Sequence, residues 1–137
     1  MDSERLKSIM QKETDALKNL LSLLEEQHKL LLGNKVFELE AMVSKIQNVN
    51  KEIAELEMER RKITAGKVMS HIVMETKDLD LENSYRNIKK LLAQLQLQKD
   101  TNDTLIRQGL GFSTRMLNLI TPDRKMQTYN AYGKLRR

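Results

Sequence analysis

Apolar residues recur at alternating spacings of four and three through the first half of the chain, a pattern typical of helices that pack as a coiled coil. We call each such series a seam. The first seam occupies positions 6, 10, 13, 17, 20, 24, 27 and 31, where Glu13 and Gln27 are the polar members. The second occupies positions 39, 42, 46, 49, 53, 56, 60 and 63, where Arg60 is the polar member. The two seams predict two long helices.

Both predicted helices end at short breaks in the pattern. Gly33-Asn34 follows the first seam, and both of these residues tolerate the left-handed backbone of a helix C-terminus. Thr64-Ala65-Gly66 follows the second seam. Helices of about 4–32 and 35–64 joined by so short a break predict an antiparallel hairpin.

A third helix is predicted to start at Asp78, after a connector with a blurred pattern that has room for one helical turn. Asp78 is a suitable N-cap, and Asp80 and Glu82 favour the positive end of a helix. The third seam contains the following residues: Leu81, Tyr85, Ile88, Leu92 and Leu95. It becomes polar at Lys99 and Asn102.

The apolar pattern resumes at Leu105 and stops before Thr121-Pro122, because proline disfavours a helical residue before it. A helix over 78–120 would be about 65 Å long, against about 45 Å for each earlier helix. The sequence therefore predicts an all-α fold. Residues 1–121 form an elongated, coiled-coil-like antiparallel bundle of three long helices, the third overhanging by roughly 20 Å, and residues 122–137 form a flexible basic C-terminal tail.

The predicted overhang carries an apolar stripe formed by Leu105, Ile106, Leu110, Phe112, Met116, Leu117, Leu119 and Ile120. Residues 104–137 hold seven Arg or Lys against one acid, a net charge of +6, whereas the whole chain carries +5. Gly109 and Gly111 each weaken a helix by about 1 kcal/mol relative to alanine. A marginal helix with an unburied apolar face is typical of a segment that folds on binding a partner. Two alternatives stay open, a fourth short core helix and self-association as a homodimer.

The composition excludes several classes of protein. The chain has no cysteine and therefore no disulfide or thiolate metal site. Its first ten residues lack the basic and apolar regions of a signal peptide, and no apolar run approaches the roughly 20 residues of a membrane span. We therefore expect a cytoplasmic protein without stable membrane insertion.

The sequence contains no recognisable catalytic, cofactor-binding or metal-binding arrangement. Neither His28 nor His71 has a second histidine or a cysteine at helical spacing, and Gly109-Leu110-Gly111 lacks the context of a phosphate-binding loop. We expect neither an enzyme nor a cofactor. Arg60 is expected either to extend its charge past the neighbouring helix or to pair with a carboxylate, such as Glu57 or one on another helix.

Two further classes of function are considered for the basic C-terminal third. Its cations could bind the phosphates of a nucleic acid, but they alternate with an apolar stripe and few aromatic residues accompany them. It could also lie on an anionic membrane surface, although Arg107 and Arg115 share one side of a helix only loosely. A nucleic-acid-binding or membrane-surface helical adaptor is therefore the alternative function, and we expect no nucleic acid as a partner.

The order of three segments resembles the FlgN-type flagellar export chaperones. LEMERRKI (56–63) is similar to that family's signature of leucine, glutamate, two residues and arginine. NDTLIRQGLGFSTRMLNLI (102–120) is similar in placement to its asparagine-led apolar helix. TYNAYGK (128–134) is similar to a C-terminal element of tyrosine, glycine, two residues and glycine, with Asn130 in place of the first glycine.

The resemblance implies a chaperone that shields the terminal helical segments of hook–filament junction proteins and delivers them to the flagellar type III export apparatus. It implies a cargo-binding face of Leu105, Ile106, Leu110, Met116 and Leu117, to which the apolar stripe adds Phe112 and Ile120. It also implies that Tyr129 and Gly133 contact the export gate.

Overall fold

The computed structural model describes residues 1–108, and the C-terminal 29 residues lie outside its description. The described chain forms four α-helices and no strand: α1 (Ser3–Leu32), α2 (Val36–Thr64), α3 (Met69–Thr76) and α4 (Leu79–Arg107). The three long helices pack side by side, and each runs antiparallel to the long helix before it. The predicted helical class and the predicted hairpin of α1 and α2 are confirmed.

Asp78 caps α4, its Oδ1 accepting hydrogen bonds from the backbone N–H groups of Asp80 at 2.9 Å and Leu81 at 3.4 Å. In the turn after α1, Asn34 has φ +57°. After α2, Ala65 and Gly66 both have positive φ, at +53° and +79°. These stops lie where the sequence predicts them.

The connector between α2 and α4 contains more helix than one turn, because α3 is eight residues long. Ile72 of α3 is buried in a cluster with Leu6, Met10 and Leu81. A single buried position in so short a segment produces no detectable periodicity, which is why the sequence pattern is blurred here.

The described part of the third long helix, α4, extends to Arg107. The three long helices are 30, 29 and 29 residues long, so the described part of α4 has no overhang. The predicted helical stretch beyond residue 108 and the predicted tail 122–137 lie outside the described residues.

Helix α1 is the centre of the bundle, and α2 and α4 pack along two of its sides. Three apolar clusters follow one another along α1, centred on Met10, on Leu17 and Leu24, and on Leu31. The backbones of α2 and α4 barely approach each other. An open groove therefore lies between them at the end of the bundle where α1 begins.

The core face of α4 is rotated relative to the predicted seam. Leu91 is 8% exposed, whereas Leu92, the predicted seam residue, is 50% exposed. Asn102, predicted as the place where the seam becomes polar, is 1% exposed and belongs to the core.

Candidate functional site

The end of α4 is fixed against the turn between α1 and α2, at the place where the segment 109–137 begins. Ile106 forms a buried cluster with Leu31 at the end of α1 and Leu39 at the start of α2. Leu105 is partly buried and packs against the same cluster. The apolar segment predicted to bind cargo therefore follows directly from an anchored helix end.

Asn102 holds the last turns of α4 to α1 through a buried polar network. Its Nδ2 donates to the backbone carbonyl of Leu24 and to Gln27 Oε1, both at 2.8 Å. Its Oδ1 accepts from Gln98 Nε2 at 3.1 Å and lies 3.3 Å from His28 Nδ1. A buried amide with both ends occupied fixes register, because any shift of α4 along α1 would leave these groups without partners.

The same end of the bundle exposes large apolar side chains. Leu32 and Phe37, on either side of the turn between α1 and α2, are 63% and 83% exposed. Their neighbours Leu31 and Val36 belong to the cluster that holds Ile106. An apolar surface at the place where the C-terminal segment begins is suited to contact with a partner protein.

The described structure places two of the predicted site residues. Ile106 is 1% exposed, so in this conformation it anchors α4 and its side chain is not available at the surface. Leu105 lies at the edge of the same cluster. The other predicted positions lie outside the described residues: Leu110, Phe112, Met116, Leu117, Ile120, Tyr129 and Gly133.

A second polar contact within the bundle joins Arg60 of α2 to Glu13 of α1. Arg60 Nε lies 2.9 Å from Glu13 Oε1 and donates to Oε2 at 3.2 Å. The Glu13 side chain is 8% exposed and that of Arg60 20%. Burial raises the pKa of Glu13, while the guanidinium of Arg60 acts in the opposite direction. Of the two expectations for Arg60, the pairing with a carboxylate of another helix is the one observed.

Sequence reasoning neither identified the Asn102 network nor singled out Glu13 as the partner of Arg60, although a signal for both is present. Glu13 and Gln27 interrupt the seam of α1, Arg60 interrupts that of α2, and Asn102 lies where the seam of α4 becomes polar. In the structure these interruptions meet in pairs, Glu13 with Arg60 and Gln27 with Asn102. These interruptions mark the buried polar positions, and the pairing among them depends on the register of the helices.

At the opposite end of the bundle, Lys7 of α1 is tied to the start of α4. Lys7 Nζ lies 2.8 Å from Asp78 Oδ2. The hydrogen bond from Lys7 lowers the pKa of the Asp78 carboxyl, and that from the backbone of Leu81 acts in the same direction. Together with the Asn102 network, this contact sets the alignment of α4 along α1.

The described residues offer no group of three or more His, Cys, Asp or Glu side chains placed to hold a metal ion. Within the same residues, no helix is long and apolar enough to cross a membrane.

Comparison with known proteins identifies a family. The family described as FlgN protein matches residues 1–137, the whole length of the chain. No curated protein matches at significant similarity, and no solved structure does.

Proposed function

The chain belongs to the FlgN family of flagellar export chaperones, and on that premise we propose that it binds hook–filament junction proteins in the cytoplasm before their secretion. It delivers them to the flagellar type III export apparatus. The observation that carries this proposal is the family match over the full length, because it includes the C-terminal third as well as the helical scaffold.

The cargo-binding surface in this proposal is the apolar segment that follows α4. Leu105, Leu110, Phe112, Met116, Leu117 and Ile120 form its face. Ile106 contributes differently, since its burial against Leu31 and Leu39 fixes the last turn of α4, after which the segment begins. Exposed Leu32 and Phe37 at that point extend the apolar surface that a cargo helix contacts.

The experiment places a charge on the proposed face and measures cargo affinity by calorimetry. Leu110→Asp and Leu117→Asp are each expected to weaken binding of a hook–filament junction protein by at least about a hundredfold, because a carboxylate must then be buried in an apolar interface. Asn118→Asp is the matched control, since it adds the same charge to the same segment at a polar position. Unchanged affinity in both leucine variants, with circular dichroism showing folded helices, would overturn the proposed face.

Contact with the export gate is assigned to Tyr129 and Gly133 in the C-terminal tail. Tyr129→Ala is expected to leave cargo affinity unchanged while reducing secretion of the cargo and retention of the loaded chaperone on the purified export gate. Tyr132→Ala provides the control, because it removes a second tyrosine three residues away. Normal secretion by the Tyr129 variant would remove that residue from the proposal.

A further inference from the structure

The groove between α2 and α4 has the shape of an unfilled position in a helical bundle. Its volume is about 600 Å³, and helix α1 forms its floor. The lining residues of the long helices lie within 10–17 of α1, 53–61 of α2 and 85–92 of α4. Eight or nine residues span about two helical turns, so the groove runs parallel to the bundle axis for roughly 10 Å.

The walls of the groove contain apolar side chains between the charged ones, and one of the apolar residues is half exposed. Ile53 and Ile88 are partly buried on opposite walls. Leu92 lines the groove and is 50% exposed, although its position continues the apolar pattern of α4. Three long helices with an apolar channel between two of them resemble a four-helix bundle that lacks one helix.

The charges around the groove favour an acidic occupant. Its lining includes four cationic residues, Arg60, Arg61, Lys67 and Lys89, against two acidic residues, Glu13 and Glu57. Arg60 is already engaged with Glu13, and Arg61 pairs with Glu57 at 2.7 Å. Lys67 and Lys89 have no acidic partner among the lining residues, and we call these two lysines the rim of the groove. Lys89 Nζ lies 5.4 Å from the centre of the Tyr85 ring.

The same charges argue against the chain's own C-terminal segment as the occupant. Residues 104–137 carry a net charge of +6 and would bring further cations beside Lys67 and Lys89. That segment also begins about 22 Å from Leu92, because fifteen residues of α4 separate Leu92 from Arg107.

We propose that this groove binds two turns of an acidic amphipathic helix of the cargo protein, which occupies the fourth position of the bundle. The inference rests on the proposed function and adds a second contact surface to it, remote from the C-terminal apolar segment. Apolar residues of the cargo helix pack between Ile53, Ile88 and Leu92, and its acidic residues lie beside Lys67 and Lys89. Two separate contacts on one cargo strengthen binding through effective concentration.

The first test compares Leu92→Asp with Leu97→Asp in calorimetric titrations with full-length hook–filament junction proteins of the same bacterium. Leu97 is 71% exposed on the same helix and does not line the groove, so it is a matched control. Leu92→Asp is expected to weaken binding about tenfold or more, and Leu97→Asp less than about twofold. Equal affinities of the two variants overturn the inference, provided that circular dichroism and urea unfolding show both to be folded.

The second test reverses rim charges. Lys89→Glu is expected to weaken cargo binding at least about threefold at low salt and less at high salt, since exposed charge interactions are screened. Lys90→Glu makes the same change one residue outside the groove lining. Equal effects of the two reversals contradict an acidic occupant.

The outcomes separate this inference from the proposed function. If Leu117→Asp abolishes cargo binding and Leu92→Asp does not change it, the proposed chaperone function is supported and the groove is not a cargo-binding site. If the unmodified protein binds no junction protein, the proposed function is wrong, and the assignment of the groove is wrong with it. Dimerisation of the unmodified protein in sedimentation experiments that Leu92→Asp abolishes would assign the groove to a second copy and overturn the proposal.

Discussion

Asn102 Nδ2 donates a 2.8 Å hydrogen bond to Gln27 Oε1 inside the bundle, so a polar interruption of α4 meets a polar interruption of α1. Asn102 is 1% exposed and Gln27 is 4% exposed. The contact lies one turn before Ile106, the last buried residue of α4. It therefore fixes the register of α4 against α1 at the end of the helix, just before the proposed cargo-binding segment begins.

Asn102→Ala is expected to lower the free energy of unfolding by about 2 kcal/mol, because the buried oxygen of Gln27 loses its donor. Lys99→Ala, at an exposed position on the same helix, should change it by less than about 0.5 kcal/mol. Urea unfolding followed by circular dichroism measures both. A loss at Asn102 no larger than that at Lys99 would show that the network contributes little to stability.

Removing Arg60 should destabilise the bundle more than removing both members of its pair. Arg60→Leu leaves the buried Glu13 carboxylate without its cation and is expected to cost about 2–4 kcal/mol at pH 7. Glu13→Leu combined with Arg60→Leu should cost less, since no buried charge then lacks a partner. A double variant less stable than Arg60→Leu would contradict this account of the pair.

The deficit of Arg60→Leu should also depend on pH. Burial raises the pKa of Glu13, so the folded protein holds that proton more tightly than the unfolded chain, and stability associated with this group rises as pH falls. Loss of Arg60 removes the effect that opposes the rise, so the deficit should shrink between pH 7 and pH 5. Arg61→Leu, at an exposed position, is the control and should show no such change. The measurement is urea unfolding at both pH values, and a constant deficit would contradict the prediction.

Ile106→Ala tests whether the end of α4 is an anchor. Loss of this buried side chain is expected to cost about 2–4 kcal/mol and to speed amide hydrogen exchange through the last turns of α4. Leu110→Asp, in contrast, should leave stability within about 0.5 kcal/mol while abolishing cargo binding. Equal stability losses in the two variants would mean that the proposed binding face is part of the core.

Phe37→Asp tests the exposed apolar surface at the turn between α1 and α2. The side chain is 83% exposed, so the substitution should leave stability nearly unchanged and weaken cargo binding about tenfold. Leu79→Asp, at a residue 71% exposed at the other end of the bundle, should leave both unchanged. Titration calorimetry with a junction protein decides the matter. Full affinity in the Phe37 variant would remove the turn from the proposed interface.

The sequence indicated where the helices begin and stop more reliably than how they face one another. The breaks at Gly33-Asn34 and Thr64-Ala65-Gly66 and the cap at Asp78 depend on local backbone preferences, and all three are observed. The predicted end of the third helix, at residue 120, lies outside the described residues, in which α4 extends to Arg107. An apolar pattern that resumes at Leu105 does not distinguish a continuing helix from one that ends once Ile106 is buried.

The sequence by itself determined the helical class and the two-helix hairpin, because these follow from the periodicity of apolar residues. It also determined the start of α4, through its cap, and the division into a nearly neutral scaffold and a basic, apolar C-terminal third, through the distribution of charge. Only the tertiary structure decided that Glu13 meets Arg60, that Gln27 meets Asn102, and that Leu91 faces the core while Leu92 faces the groove. The physical reason is that the spacing of a seam along one helix is compatible with several rotations of that helix and several registers against its neighbours. The choice among them depends on pairing buried polar groups between helices that are distant in sequence.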